Sequence, residues 1–448
     1  MAAAFAHLYA GTYRHVNGLG WYTWAGGRWQ PDEHDTVVWA AGDMAESLAQ
    51  TDPTGHHPDT ALRRQRRHAM STSGIKAMLQ QARSADGMRL DAADLDADPY
   101  ALCTPKGVVD LMTGTVEEAH PLRDFHSRCT AVTPRNIPTP RWDRFLRDTF
   151  GDDTDGRKMI EFLHLLLGYA ITGDVGAQVM AFFYGMGKNG KSVLMDVIIK
   201  LLGDYADAAS PGFLMAKHFE EHPTDLAELH GRRIIVCGEL KAGDRFDEAR
   251  VKLLTGGDTI KARRMRQDFF SFTPTHKLFL LGNHHPLVTT GGFAFWRRMR
   301  LVPFERVVPD ACKVDNLADV LVSTEGPGIL NWLIKGAGRY LAGENDLSGP
   351  ERVRLATAAY AETEDHMGRF LNETCTVKPG LRAEQKHLYR EYARWCEDEG
   401  ALPLTSRTFA GRVRETLGLR SPKEMATSNS KKYYPGIGIL SDTTKENA

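Results

Sequence analysis

The feature that most restricts the fold of this chain is the stretch FFYGMGKNGKSVLM, residues 182–195. Gly185, Gly190, Lys191 and Ser192 fit the pattern G-x-x-x-x-G-K-[ST] without exception. The apolar run VMAFFY precedes it and SVLMDVIIKLLG follows, which reads as strand, loop and helix. In that order, the backbone N–H groups of the loop and the open N-terminus of the helix converge on one anion. Gly185, Met186, Gly187, Lys188, Asn189, Gly190, Lys191, Ser192 and Val193 are therefore the expected ATP-binding segment. Lys191 would neutralise the β and γ phosphates, and the Ser192 hydroxyl would ligate Mg²⁺. The competing reading is a glycine-rich turn that holds nothing. In a chain of this length the full string arises by chance roughly once in fifty, and its strand–helix setting lowers that further.

The remaining composition sets bounds. A chain of 448 residues has room for several domains, and a net charge of -1 gives no global pull toward polyanions, so any nucleic-acid contact must be local. The six cysteines form no C-x-x-C pair, which argues against a zinc site and a disulfide framework and fits a reducing cytoplasm. The opening MAAAFAHLYAGTYRH lacks the pattern of a secretory leader, and FLHLLLGYAIT is too short to span a bilayer, so no membrane partner is expected.

Along the chain, GLGWYTWAGGRWQPDE reads as short strands joined by a Gly-Gly turn, within an α+β N-terminal domain over 1–135. WDRFLRDTFGDD and GRKMIEFLHLLLGYAIT follow as two amphipathic helices, a collar over 136–176. From 177 to 345, the runs VMAFFY, RRIIVCG, HKLFLLGN and RMRLVPF are continuous apolar strands separated by helices, the pattern of a buried parallel sheet in a three-layer α/β domain. Residues 346–440 read as a helical connection and a winged-helix module ending in a pair of tyrosine-rich strands, KKYYPGIGIL, and 441–448 as a disordered tail.

A phosphate loop alone does not separate kinases from motors. Downstream, GRRIIVCGEL ends a strand in Glu239, where a carboxylate can polarise water beside Mg²⁺. KLFLLGN ends another in Asn283, and FAFWRRMRLVPF sets Arg297 and Arg298 before a third. This succession resembles the superfamily 3 helicases, and most closely the phage and plasmid primase-helicases related to the poxvirus type. PKGVVDLMTGTVEEAHPLRDF, FLHLLLGYAITGD and LLTGGDTIKARRMRQDFFSFTPTHKLFLLGNHHP are each similar to blocks of that family, over about residues 10–305. The resemblance implies an α/β, AAA+-like ATPase core. It gives Lys191 and Ser192 the Walker A role, Glu239 Walker B, Asn283 the sensor and Arg298 the arginine finger. The single Glu239 after Cys237 and Gly238 departs from the paired acids of many members. Too little chain precedes residue 135 for the primase catalytic domain of larger members, so priming by this polypeptide is not expected.

By the same resemblance, Lys261, Arg263, Arg264 and Arg266 lie on a hairpin that grips single-strand phosphates inside a ring. The implied activity is that of a hexameric, Mg²⁺-dependent, ATP-driven DNA helicase replicating a phage, prophage or plasmid in a bacterial or infected host cell. It would act on single-stranded or forked DNA beside a primase or other replication partner. A DNA-stimulated ATPase switch without unwinding and a small-molecule kinase remain the alternatives. Secondary candidates for DNA contact are the cluster Arg63, Arg64, Arg66 and Arg67 and the exposed face Arg407, Arg412 and Arg414. The acids of DLDAD at 94–98 read as a solvated loop, the pairs His56-His57 and His284-His285 as loop residues, and Trp21, Trp24 and Trp29 as core.

Overall fold

Residues 1–50, 67–216, 224–263, 265, 269–289, 291–309, 314–401, 403–419, 421–428 and 430–440 are described by a computed structural model. They form two units, one built from 1–285 with 297–354 and the other from 286–296 with 355–448.

In the first unit, strands β1 (Tyr13–Val16), β2 (Gly20–Ala25), β3 (Arg28–Pro31) and β4 (Arg89–Leu90) form a sheet in the order β3-β2-β1-β4. The expected Gly-Gly turn joins β2 to β3, with Gly26 and Gly27 both at positive φ (60° and 80°), the geometry of a two-residue hairpin loop. Trp29 is wholly buried, while Trp21 and Trp24 are half-buried. A second antiparallel sheet follows: β5 (Ala101–Thr104), β6 (Gly107–Asp110) and β7 (Val116–Glu117). In the DLDAD segment Asp94 and Asp98 are exposed as expected, but Asp96 departs from expectation. Asp96 is only 4% exposed and accepts from the backbone N–H of Ser127 at 2.9 Å, so it ties two loops together instead of facing solvent.

The central sheet comprises β8 (Met180–Tyr184), β9 (Ala206–Ala208), β10 (Ile234–Cys237), β13 (Lys277–Gly282) and β14 (Met299–Pro303). The hairpin β11 (Ile260–Arg263) and β12 (Phe269–Phe272) interrupts the chain between β10 and β13. All five strands run parallel in the order β14-β8-β13-β10-β9. Met180 to Phe183 are buried without alternation, as a central strand covered on both faces requires. From β8 the chain crosses to the far edge and works back, then places β14 on the other flank of β8. This makes β8 the topological switch point, outside whose carboxyl end ligands of open α/β sheets bind.

Helices Pro140–Phe150, Thr154–Ile171 and Leu317–Leu341 pack beside this sheet. The buried Glu325 carboxylate accepts from the backbone N–H groups of Arg141 and Trp142, both at 3.0 Å, which caps the first of these helices and complements its dipole. The other two cross at glycines: a Cβ on Gly168 would lie 2.1 Å from the Gly336 carbonyl carbon, so only hydrogen fits. Below the sheet, Arg233 is buried and donates to the carbonyls of Asp98, Pro99 and Ala101 at 3.0, 3.0 and 3.2 Å, fastening the N-terminal region to β10.

In the second unit, helices His366–Thr374, Gln385–Asp398 and Ser406–Thr416 pack on an antiparallel sheet, β15 (Cys375–Glu384), β16 (Ala426–Ser428) and β17 (Lys431–Ile439), in the order β15-β17-β16. KKYYPGIGIL is thus one strand rather than two, because β15 and β16 flank it on both sides. Arg407 is exposed as expected, whereas Arg412 and Arg414 are half-buried, flanking the fully buried Val413. The segment 286–296 belongs to this unit: the Glu364 carboxylate accepts from Val288 N–H at 2.7 Å, and the Tyr360 hydroxyl donates to the Pro286 carbonyl.

Candidate nucleotide site

The loop 185–190 leaves the carboxyl end of β8 through three residues at positive φ: Gly187 at 108°, Lys188 at 51° and Gly190 at 85°. Gly190 heads the helix Lys191–Leu202 without a capping side chain, so the first-turn N–H groups stay open to an anion. Gly185 is set by close approach, since a Cβ there would lie 2.1 Å from Asn189 Nδ2 and 2.3 Å from the Phe304 carbonyl oxygen. The chain leaving β14 braces the loop from one side. Phe304 N–H donates to Tyr184 O at 2.7 Å, and Val308 N–H donates to Lys188 O at 2.9 Å. Asn189, 4% exposed, adds its side-chain amide to Phe304 O at 2.8 Å.

Lys191 is turned inward, 6% exposed. Its ammonium donates to Gly185 O at 2.5 Å, Asn189 Oδ1 at 3.0 Å and Asn283 Oδ1 at 3.2 Å. Burial pulls its pKa below the ordinary lysine value. A cation held by three uncharged acceptors is one that an entering polyanion can claim. Ser192 is exposed on the first turn of the helix, Met186 is exposed at the loop tip and Val193 is half-buried.

Pairing registers locate the other candidates. Gly282 lies opposite Tyr184, and Cys237 opposite Leu280, so Asn283 and Glu239 leave the sheet at the same edge as the loop. Glu239 is exposed and sits at φ 58°, a left-handed conformation that costs a non-glycine residue on the order of 1 kcal/mol and is concentrated at functional sites. Arg297 and Arg298 do not join this group. Met299 pairs with Met180, so both arginines lie at the opposite edge, one five-residue strand or roughly 17 Å away. Arg298 is buried and donates from Nε to Thr255 Oγ1 at 3.0 Å, whereas Arg297 is exposed. On the hairpin, Lys261 and Arg263 are exposed, and Arg264 and Arg266 lie outside the described residues. The same holds for Arg63, Arg64, Arg66, His56 and His57; Arg67 is exposed.

The brace at 304–308 escaped the sequence reading, because RMRLVPFERVV carries only the signal of a buried strand followed by a charged turn. Among the described residues, no group of three or more His, Cys, Asp or Glu is arranged to hold a metal, and no helix is long and apolar enough to cross a membrane.

Comparison with known proteins agrees with the sheet and its flanking regions. Residues 2–151 match the family described as D5 N terminal like, 183–298 a family of unknown function, and 362–434 the family described as Poxvirus D5 protein-like. The two D5 matches support a primase-helicase of the D5 type. The chain's relatives include the putative helicase L207/L206 of Acanthamoeba polyphaga mimivirus, 27% identical over 327 residues, which cover 67% of this chain and 33% of that protein. The putative primase C962R of African swine fever virus is 22% identical over 362 residues, 75% of this chain and 37% of the viral one. The chain therefore spans about a third of the length of these curated relatives. The apo C-terminal region of NrS-1 shares the fold, with a TM-score of 0.52 over 98% of this chain and 99% of that one at 12% identity.

Proposed function

We propose that the chain is the ATP-hydrolysing motor of a DNA helicase, a superfamily 3, AAA+-like P-loop core with a C-terminal winged helix, acting in replication of a phage, prophage or plasmid. The observation that carries this reading is the division of the candidate groups between the two edges of one sheet. Lys191, Ser192, Glu239 and Asn283 share the loop edge, while the arginines lie a strand length away. An arginine so far from its own loop can complete only the site of another copy, which favours closed rings in which each site is finished by the neighbour. Of the pair, Arg297 is the better finger, because it is exposed where Arg298 is buried against Thr255.

The residues present fit an ATP·Mg²⁺ group. Ser192 and Glu239 offer one hydroxyl and one carboxylate, hard oxygen ligands that suit Mg²⁺ when the phosphates supply the rest. Bound there, the cation would neutralise charge on the triphosphate. Lys191 exchanges its three neutral acceptors for phosphate oxygens, and the loop N–H groups close around them. Asn283, released from Lys191, can hold the attacking water or report the γ phosphate. Glu239, carried on a strained and exposed turn, orients the water and takes its proton. Lys261 and Arg263 grip single-strand phosphates, and names of relatives such as putative helicase and putative primase support a DNA substrate.

The test is ATP turnover and strand separation on a forked duplex. Lys191→Ala should abolish both; normal turnover in that variant refutes the phosphate role. Turnover without strand separation in the unaltered protein would instead favour an ATPase switch.

A further inference from the structure

The hairpin β11–β12 carries a feature that charge does not explain. Burial alternates along both strands, with Ile260, Ala262, Phe270 and Phe272 inward and Lys261, Arg263, Phe269 and Ser271 outward. A phenylalanine on the outward face is out of place: Phe269 is 51% exposed, while Phe270 and Phe272 are 7% and 3% exposed. Pairing sets Phe269 directly opposite Arg263, with Lys261 opposite Ser271 on the same face. Both cations reach the ring, Lys261 Nζ at 4.9 Å and Arg263 Cζ at 5.0 Å from its centroid. Such contacts order an exposed ring, yet half of it stays open to solvent.

We propose that Phe269 is a stacking platform for an unpaired nucleobase, with Lys261 and Arg263 holding the phosphates beside it. This rests on the reading that the hairpin meets single-stranded DNA and adds that the strand is held through its bases as well as its backbone. An aromatic face with cations close by is the arrangement that binds single strands without reading sequence, because every base has a π-face and every nucleotide a phosphate. The ligand class is therefore a single strand of any sequence. A duplex hides its base faces and cannot use the platform. The two contributions also separate by salt: phosphate contacts release counterions and weaken as salt rises, and stacking does not.

The experiment measures binding of the full chain to two labelled strands of equal length, an oligothymidylate and an abasic strand with the same phosphates, across a salt series. The unaltered protein should prefer the strand with bases. Phe269→Ala should lose roughly fivefold or more on that strand, with the salt slope and the abasic affinity unchanged, and Phe269→Trp should retain binding. Equal binding of the base-bearing strand by Phe269→Ala and the unaltered chain overturns the platform, as does an equal loss on both strands. The joint variant Lys261→Ala, Arg263→Ala should weaken both strands and flatten the slope. If it changes neither, the hairpin reading itself falls, and that failure is distinct from a failure of stacking alone.

Discussion

Asn189 is the residue whose removal most directly tests how the loop presents its lysine. Its amide makes two buried hydrogen bonds at once, donating to Phe304 O at 2.8 Å and accepting from Lys191 Nζ at 3.0 Å. A neutral hydrogen bond of the first kind contributes about 1 kcal/mol, and one to a charged group about 1.5–3 kcal/mol. Lys191 keeps two other acceptors in the alanine variant, so the second figure is discounted and the joint loss is about 2–3 kcal/mol. Where that energy orders the loop for its ligand, Asn189→Ala should bind ATP on the order of 30-fold more weakly and melt at a lower temperature. Asn189→Asp separates the two effects. It keeps an oxygen for Lys191, so less stability is lost than in the alanine variant, but its carboxylate repels a triphosphate and affinity still falls. Titration calorimetry with ATP and a thermal melt of each variant are the measurements. An alanine variant with unaltered melting temperature and unaltered affinity would refute the bracing argument.

Three further outcomes are expected. Arg297→Ala should lose ATP turnover and keep its melting temperature, whereas Arg298→Ala should lose stability as well, because it strips a buried partner from Thr255; mixing Arg297→Ala with Lys191→Ala copies should restore some turnover if sites are shared. His276, buried ahead of β13, has its pKa pushed down to about 3 from 6.5, so the folded chain stays neutral there while the unfolded chain takes a proton. Its contribution to stability is therefore complete above pH 6.5 and falls by up to about 1.4 kcal/mol per pH unit from 6.5 to 3, and in urea titrations His276→Phe should flatten that acid limb. Glu364→Ala frees the backbone N–H of Val288 and should lower kcat for ATP with little change in KM.

Much of the architecture was legible in the sequence because parallel strands covered on both faces must be apolar throughout. VMAFFY, RRIIVCG, HKLFLLGN and RMRLVPF accordingly correspond to β8, β10, β13 and β14. Their lateral order was not legible, since no local pattern says that β13 lies between β8 and β10, and it is that order which brings Asn283 to Lys191. Boundaries failed where pairing decides: a nine-residue β17 with partners on both sides carries the same local signal as two short strands. Asp96 was misread for a similar reason, because the backbone N–H it accepts comes from Ser127, far along the chain. Nothing in FAFWRR distinguished the exposed Arg297 from the buried Arg298, since that difference comes from Thr255 on another element.

The segment 286–296 is flanked in the chain by two of the candidate groups. Asn283 lies three residues before the segment that joins the second unit, and Arg297 follows immediately after it. That segment is fixed within its own unit by Glu364 on Val288, by Tyr360 on Pro286 and by Trp296 set edge-on to Tyr360 at 5.1 Å. Three or fewer residues separate the candidate sensor and the candidate finger from this segment, so a change in its backbone reaches both through the chain itself. Under the proposed reading, one of these groups acts in its own site and the other in a neighbour's, and a single tether links them. Loosening the segment at Val288 by Glu364→Ala should therefore disturb both groups while leaving the phosphate loop intact.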